Sequence, residues 1–542
     1  VNQLAPTPRN RFRTDATLRF SLERHLPAEM FAHAALALDR MGERAVDELP
    51  ALAEAAERRP PVHVPFDAWG NRVDRIEVDA AFETLVRIGQ EEGLVATPYE
   101  GGFGAHGRVV QAGLANLFDP VSAVATCPLV MTDGAAWLLR QHDAGLWARY
   151  GGRLTARTGA ITSGQWMTET AGGSDVGMTG TVARANGDGT FGLWGTKWFT
   201  SAMSADIAMV LARPEGEAPG SAGLSLFLLE LRAPGGGWNG LRVRRLKEKM
   251  GTKALPTAEL DLEGARAVPV GGLGRGVAKV ASLLNIARVW AAYAGPAGVG
   301  HLLGLARDYA RVRQVFGRPL GEQPMHRAWL ARIAAEYEAM LALCFETASA
   351  VGRAEHGGNA QMARLLAPLT KLSCARQGIW GTSELLESFG GAGYVEDTGV
   401  ARVFRNAHVH AIWEGTTSVL SHDVLRALRS RDLALEWLED VGARLKGVRL
   451  GALEGCVARV AAGLEAVRPM VLEPDEREGR RLAGGMARVT QAALLCEAAE
   501  WRAARKGDGS AVVAAEMFTR EALVAPASAD LELDALAYGF AA

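Results

Sequence analysis

A stretch of short, β-rich, glycine- and proline-punctuated sequence at 161–273 sits between two long helical stretches, and this change of texture constrains the fold most. Before it, "EMFAHAALALDRMGERAVDEL" and "LVRIGQEEGL" place apolar residues three and four apart, the period of helices packed on one face. The break "ERRPPVHVPFDAWGNR", with paired prolines and a turn glycine, reads as a loop. Within the central stretch, "TFGLWGTKWFTS", "IAMVLA", "LSLFLLEL" and "AELDLEGARAV" are strand-like, and "RPEGEAPGSAG" and "RAPGGGWNG" separate them. A small antiparallel barrel or sandwich is predicted there. From Val277 the helical period returns through "HRAWLARIAAEYEAMLALCFETASAVG" and "ARLLAPLTKLSCARQGIWGTSELLESF", as in a bundle. The expected class is α+β multidomain. It has an N-terminal α-helical domain (1–160), a central antiparallel β-barrel or sandwich (161–273), a C-terminal helical bundle (274–430) and a helical extension (431–542).

Bulk properties exclude several roles. The 542-residue chain is 48% hydrophobic, enough for a large core, and its formal net charge of −2 offers no general footprint for a polyanion. Its five cysteines are scattered without a CxxC, so neither a disulfide framework nor a zinc site is expected and a reducing cytoplasm is the simplest setting. The amino terminus lacks the apolar run of a secretory signal. "VWAAYAGPAGVGHLLGLA" (Val289–Ala306) carries no acid, Lys or Arg, but its small residues, Pro296 and His301 fit a tightly packed internal helix better than a membrane span.

Five short motifs carry potential chemistry. "WMTETAGGSDV" (Trp166–Val176) combines hydroxyls with glycines that let a ligand approach bare backbone, and it matches neither GxGxxG nor a Walker A sequence. Alone, it is also an ordinary turn. "GTKWFTS" (Gly195–Ser201) could form a flat apolar wall with hydrogen-bonding edges for an aromatic heterocycle, or a half-buried strand. "YARVRQVFGRPLGEQP" (Tyr309–Pro324) gathers arginines suited to phosphate around an aromatic, or forms a solvated basic face. "ESFGGAGY" (Glu387–Tyr394) is a helix cap or a ligand-facing glycine turn. "HAIWEGTTSVL" (His410–Leu420) holds a single carboxylate, Glu414: a capped helix start on the surface, or a base whose proton affinity is set by burial.

In this order and on this framework, the five motifs resemble the acyl-CoA dehydrogenase flavoprotein family over roughly Asp79–Leu428. "WEG" for the commoner "YEG", Glu387 for the usual Gln, "CPLVMTDGAAWLL" and the long helical tail resemble its alkylation-response (AidB-like) branch.

The resemblance implies oxidation of the Cα–Cβ bond of an acyl-CoA thioester with FAD as hydride acceptor. By similarity Glu414 is the base, its backbone N–H and a flavin ribityl hydroxyl hold the thioester oxygen, and Arg288 supports base and substrate pocket. Ala287 stands where some relatives carry the base, so no carboxylate competes from there. Met167, Thr168 and Ser174 match the loop over the flavin ring and the nearby pyrophosphate or CoA, and Trp198, Phe199, Thr200 and Ser201 the wall behind it. Arg313, Phe316, Gly390 and Gly391 match residues reaching the FAD of a neighbouring subunit, and Thr416 and Ser418 those touching the adenosine-diphosphate part. Val315 and Ser418 replace a common Thr and Gln, and Glu387 places an acid near the phosphates. Shared sites imply a homo-oligomer, in this family usually a dimer of dimers.

Three activities compete: a dehydrogenase passing electrons to an electron-transfer flavoprotein, an oxidase using oxygen, and a DNA-binding alkylation-response protein with weak dehydrogenase activity. The chain after Ser430 holds more acids than bases, and Arg477, Arg480 and Arg481 lie amid acids, which disfavours nucleic acid. Bulky Trp166, Trp198 and Trp413 near the motifs suggest a restricted cavity and a short or branched acyl chain.

Overall fold

The computed structural model describes residues 4–521 and 523. The end of the expected extension, 524–542, therefore lies outside the described residues, as does 522.

Among the described residues up to Leu154 every element is a helix except one strand pair. The segment expected to be a loop is a hairpin, β1 (Val62–Phe66) against β2 (Arg72–Glu77), antiparallel with a bulge between Val64 and Phe66. "VHVPF" alternates too briefly beside two prolines for the sequence to reveal it. Trp238 anchors the hairpin by donating its ring N–H to the Asp74 carbonyl at 2.9 Å.

Seven strands follow: β3 (Ser163–Trp166), β4 (Val182–Ala185), β5 (Phe191–Ser201), β6 (Ile207–Pro214), β7 (Ser225–Glu230), β8 (Leu241–Leu246) and β9 (Thr257–Pro269). Five of them close on themselves in the order β6-β4-β5-β9-β7 and back to β6, so the barrel alternative holds. β3 adds to β6 and β8 to β9 outside this ring. The sheet is mixed rather than purely antiparallel, because β6 runs parallel to both β3 and β4. Residues 207–212 of β6 are all buried, as expected for a strand covered on both faces.

The Gly276–Val312 helix contains the small-residue segment and Pro296, and its centre is buried throughout. It crosses the Ala360–Ser388 helix at very short range. A Cβ on Gly295 would lie 2.2 Å from the Cys374 carbonyl oxygen. No helix among the described residues is long and apolar enough to cross a membrane.

After Ser430, helices Arg431–Gly447, Glu454–Leu472, Gly479–Lys506 and Ser510–Glu521 pack onto the bundle. Trp437, Val460, Met486 and Val489 share one apolar cluster with Leu365, Leu369 and Leu372 of the Ala360–Ser388 helix. Leu420, Val424 and Leu428 belong to the same cluster and lie on the helix that follows Glu414. The extension is therefore part of the support beneath that helix.

Candidate active site

Glu414 lies in the turn between the Val400–His410 and Thr417–Leu428 helices. Its φ of 59° is left-handed, a conformation a non-glycine residue adopts at a cost. Thr416 ends the turn as an N-cap, accepting from the Val419 N–H at 3.4 Å. A surface cap and an environment-tuned acid, alternatives in sequence, thus coexist two residues apart.

Four elements converge on the acid. Gln165, on β3, donates its Nε2 to the Glu414 carboxylate at 3.1 Å. Arg288, on the Gly276–Val312 helix, donates Nε to the Glu414 backbone carbonyl at 3.2 Å and pairs with Asp423 of the following helix. Lys371, on the Ala360–Ser388 helix, is fully buried and donates to the Gly415 carbonyl at 2.5 Å. Glu414 as a residue is half-buried, but its carboxyl group sits deep enough that burial raises its proton affinity. The Gln165 hydrogen bond and the charges of Arg288 and Lys371 oppose that rise. Trp413 places its ring edge-on to buried His410 at 6.3 Å.

The loop and the strand of the first two motifs are bolted together. Trp198 N–H donates to the Thr168 carbonyl at 3.0 Å. Fully buried Lys197 donates to the Glu169 carboxylate at 2.7 Å, and Thr181 Oγ1 and the Gly180 N–H donate to that carboxylate as well. Glu169 is thus a structural tie. A bulge between Lys197 and Thr200 breaks the strand's alternation. Lys247 accordingly reaches both rings beside it, 3.5 Å from the centre of Trp198 and 4.6 Å from that of Phe199. Thr200 is fully buried and spends its hydroxyl on the Ala258 carbonyl, and Ser201 shares a hydrogen bond with Thr257. Their hydroxyls are engaged by β9. Met167 is buried, Thr168 half-buried and Ser174 exposed.

The phosphate-facing candidates form a second, exposed group. Tyr309 packs its ring at a tilt against Phe389, centroids 5.2 Å apart, which joins the helix end before Arg313 to the glycine turn. Phe316 is 95% exposed, and Gly390 and Gly391 have open space where a Cβ would be. Thr416 and Ser418 are exposed at the start of their helix.

Gln165, Lys371 and Asp423 escaped sequence reasoning. Lys371 had a signal, a lone cation inside the apolar run "LLAPLTKLSC". Gln165 had none, since a glutamine on a short strand is unremarkable without its partner across the fold.

Comparisons with known proteins identify the family of the chain. Three family profiles cover most of the chain: the AidB adaptive response protein N-terminal domain (residues 2–158), and the acyl-CoA dehydrogenase middle (164–265) and C-terminal (274–429) domains. Acyl-CoA dehydrogenase family member 11 of Caenorhabditis elegans is 40% identical over 449 residues, 80% of this chain and 72% of that protein. The AidB protein of Escherichia coli (strain K12) is 31% identical over 407 residues, 73% and 74% of the two chains. The crystal structure of Caenorhabditis elegans ACDH-11 in complex with C11-CoA superposes with a TM-score of 0.93 at 35% identity, covering 97% of this chain and 94% of that one. The chain belongs to the acyl-CoA dehydrogenase family of oxidoreductases and carries the N-terminal domain of its AidB branch.

Proposed function

We propose that the protein is an FAD-dependent acyl-CoA dehydrogenase in which Glu414 removes the α-proton of a bound thioester. The observation that carries this reading is the environment of Glu414. Its carboxyl is shielded enough to gain proton affinity, yet it is flanked by Gln165, Arg288 and Lys371, which favour its ionised form. A base needs both: strength from burial and ionisation at working pH. Bound FAD would supply the two-electron acceptor for the β-hydride. As the α C–H proton passes to the carboxylate and the β-hydrogen leaves with its electron pair, a Cα–Cβ double bond forms.

The residues present fit such a cofactor. Gln165 Oε1 is buried without a hydrogen-bond partner beside Glu414, an acceptor suited to a ligand's N–H or O–H. Thr168 and Trp198 adjoin through their shared backbone bond, which sets a hydroxyl beside an indole, a pairing suited to a flat heterocycle. Arg313, Phe316, Gly390 and Gly391 would hold the diphosphate end of a neighbouring subunit's cofactor. Arg288 orients the base through its carbonyl, and the Glu414 N–H would hold the thioester oxygen.

Trp166 is a core residue, 1% exposed with its ring N–H given to the Ser201 carbonyl, so it does not narrow a substrate cavity. That weakens the argument for short or branched chains, and the C11-CoA held by the Caenorhabditis elegans relative supports a longer acyl chain here. We assign reoxidation to an electron-transfer flavoprotein. The test is anaerobic mixing of the FAD-loaded protein with acyl-CoAs of graded length. Bleaching of the flavin is expected, strongest near the eleven-carbon chain of the acyl-CoA bound in that relative's crystal structure. Fully loaded protein that no acyl-CoA bleaches would refute the reading.

A further inference from the structure

A buried ammonium is costly, and an apolar side chain of similar size would serve packing on the Ala360–Ser388 helix without that cost. Lys371 is nevertheless 0% exposed, between neighbours Thr370 and Leu372 that are also buried. It reaches across to the turn that presents the base and donates to the Gly415 carbonyl. Arg288 donates to the carbonyl of the preceding residue, Glu414. Two successive peptide oxygens of one strained turn are thus each held by a cation from a different helix.

We propose that Lys371 is a positioning residue for Glu414: its ammonium pins the turn at Gly415, and its charge favours the ionised carboxylate. This rests on the reading of Glu414 as a base. Burial lowers Lys371 itself to about 7, with Glu414 drawing it up and Arg288 pushing it down. The groups that face this pair are Gln165 from β3, Arg288 and its partner Asp423, His410 from the preceding helix and Cys127 from the Thr126–His142 helix. His410 is held below the usual histidine range by burial, and burial pushes the Cys127 thiol up to about 12. Near neutral pH neither adds a charge that would stand in for Lys371.

Below its own titration Lys371 is charged and draws the Glu414 proton affinity down. Above it Lys371 is neutral and the effect disappears. Lys371→Gln retains a donor for Gly415 but no charge, and Lys371→Met removes both. The full-length, FAD-loaded protein without substrate is titrated by difference infrared spectroscopy, with Glu414→Gln identifying the carboxyl band. In both Lys371 variants the Glu414 midpoint should move to higher pH. At pH values below both midpoints, flavin reduction by acyl-CoA should fall by up to about tenfold for each unit of that movement. In Lys371→Gln it should converge on wild type above pH 8. An unmoved midpoint, or a loss of rate equal at every pH, overturns the proposal. If no acyl-CoA bleaches the flavin while the midpoint still moves, the dehydrogenase reading fails and the role of Lys371 in holding the acid stands.

Discussion

At the scale of single residues, Glu414 joins a left-handed backbone to a shielded carboxyl. Strain of this kind persists where surrounding contacts over-determine it, and here Arg288, Lys371 and the Thr416 cap do so. Because burial raises the Glu414 pKa, the base loses its charge at a higher pH than a free glutamate would, near 4.3. The rate of flavin reduction should therefore climb with pH through a midpoint above that value and level off once the carboxylate is ionised. A stopped-flow pH series on wild type checks this. Gln165→Leu removes the donor that favours the ionised form, so the same midpoint should move upward. The acid itself was visible in sequence, because "WEG" sits in a fixed order with four other motifs. Of its flanking groups Arg288 was visible too, but Gln165 and Lys371 were not placed beside it, since they reach Glu414 and Gly415 from 249 and 44 residues away, distances no local pattern encodes.

At the scale of elements, the Gly295 crossing and the C-terminal extension both bear on the site. Gly295→Ala would drive a methyl group into the Cys374 carbonyl, and backbone cannot rotate away as a side chain can. A loss of about 1–3 kcal/mol is expected, read as a lower midpoint in urea unfolding. Deleting the chain after Ser430 would uncover Leu420, Val424 and Leu428 beneath the helix that follows the base. Hydrogen exchange across 414–424 should accelerate in the truncated protein. Helical period and β-rich texture made the three-part order readable, and the small residues of 289–306 correctly indicated a packed internal helix. The hairpin at 62–77 and the parallel pairings of β6 were not readable. Pairing direction depends on which strands meet in space, and prolines mask a short alternation.

At the scale of the whole molecule, Phe316, Met325, Tyr394, Val395 and Ile412 leave large apolar side chains in solvent on a single chain. We expect a second subunit to cover them and to share the cofactor through Arg313 and Phe316. Phe316→Asp should therefore yield a smaller species by analytical ultracentrifugation and release FAD on dilution. A variant that kept both its size and its flavin would remove the basis for a shared site.

The central claim is that the Glu414 carboxylate takes the substrate's proton, and Glu414→Gln tests it most directly. The account predicts an FAD-loaded protein with unchanged thermal unfolding whose single-turnover flavin reduction by acyl-CoA is slowed about 10²–10⁴-fold. Reduction at the wild-type rate in that variant would contradict it.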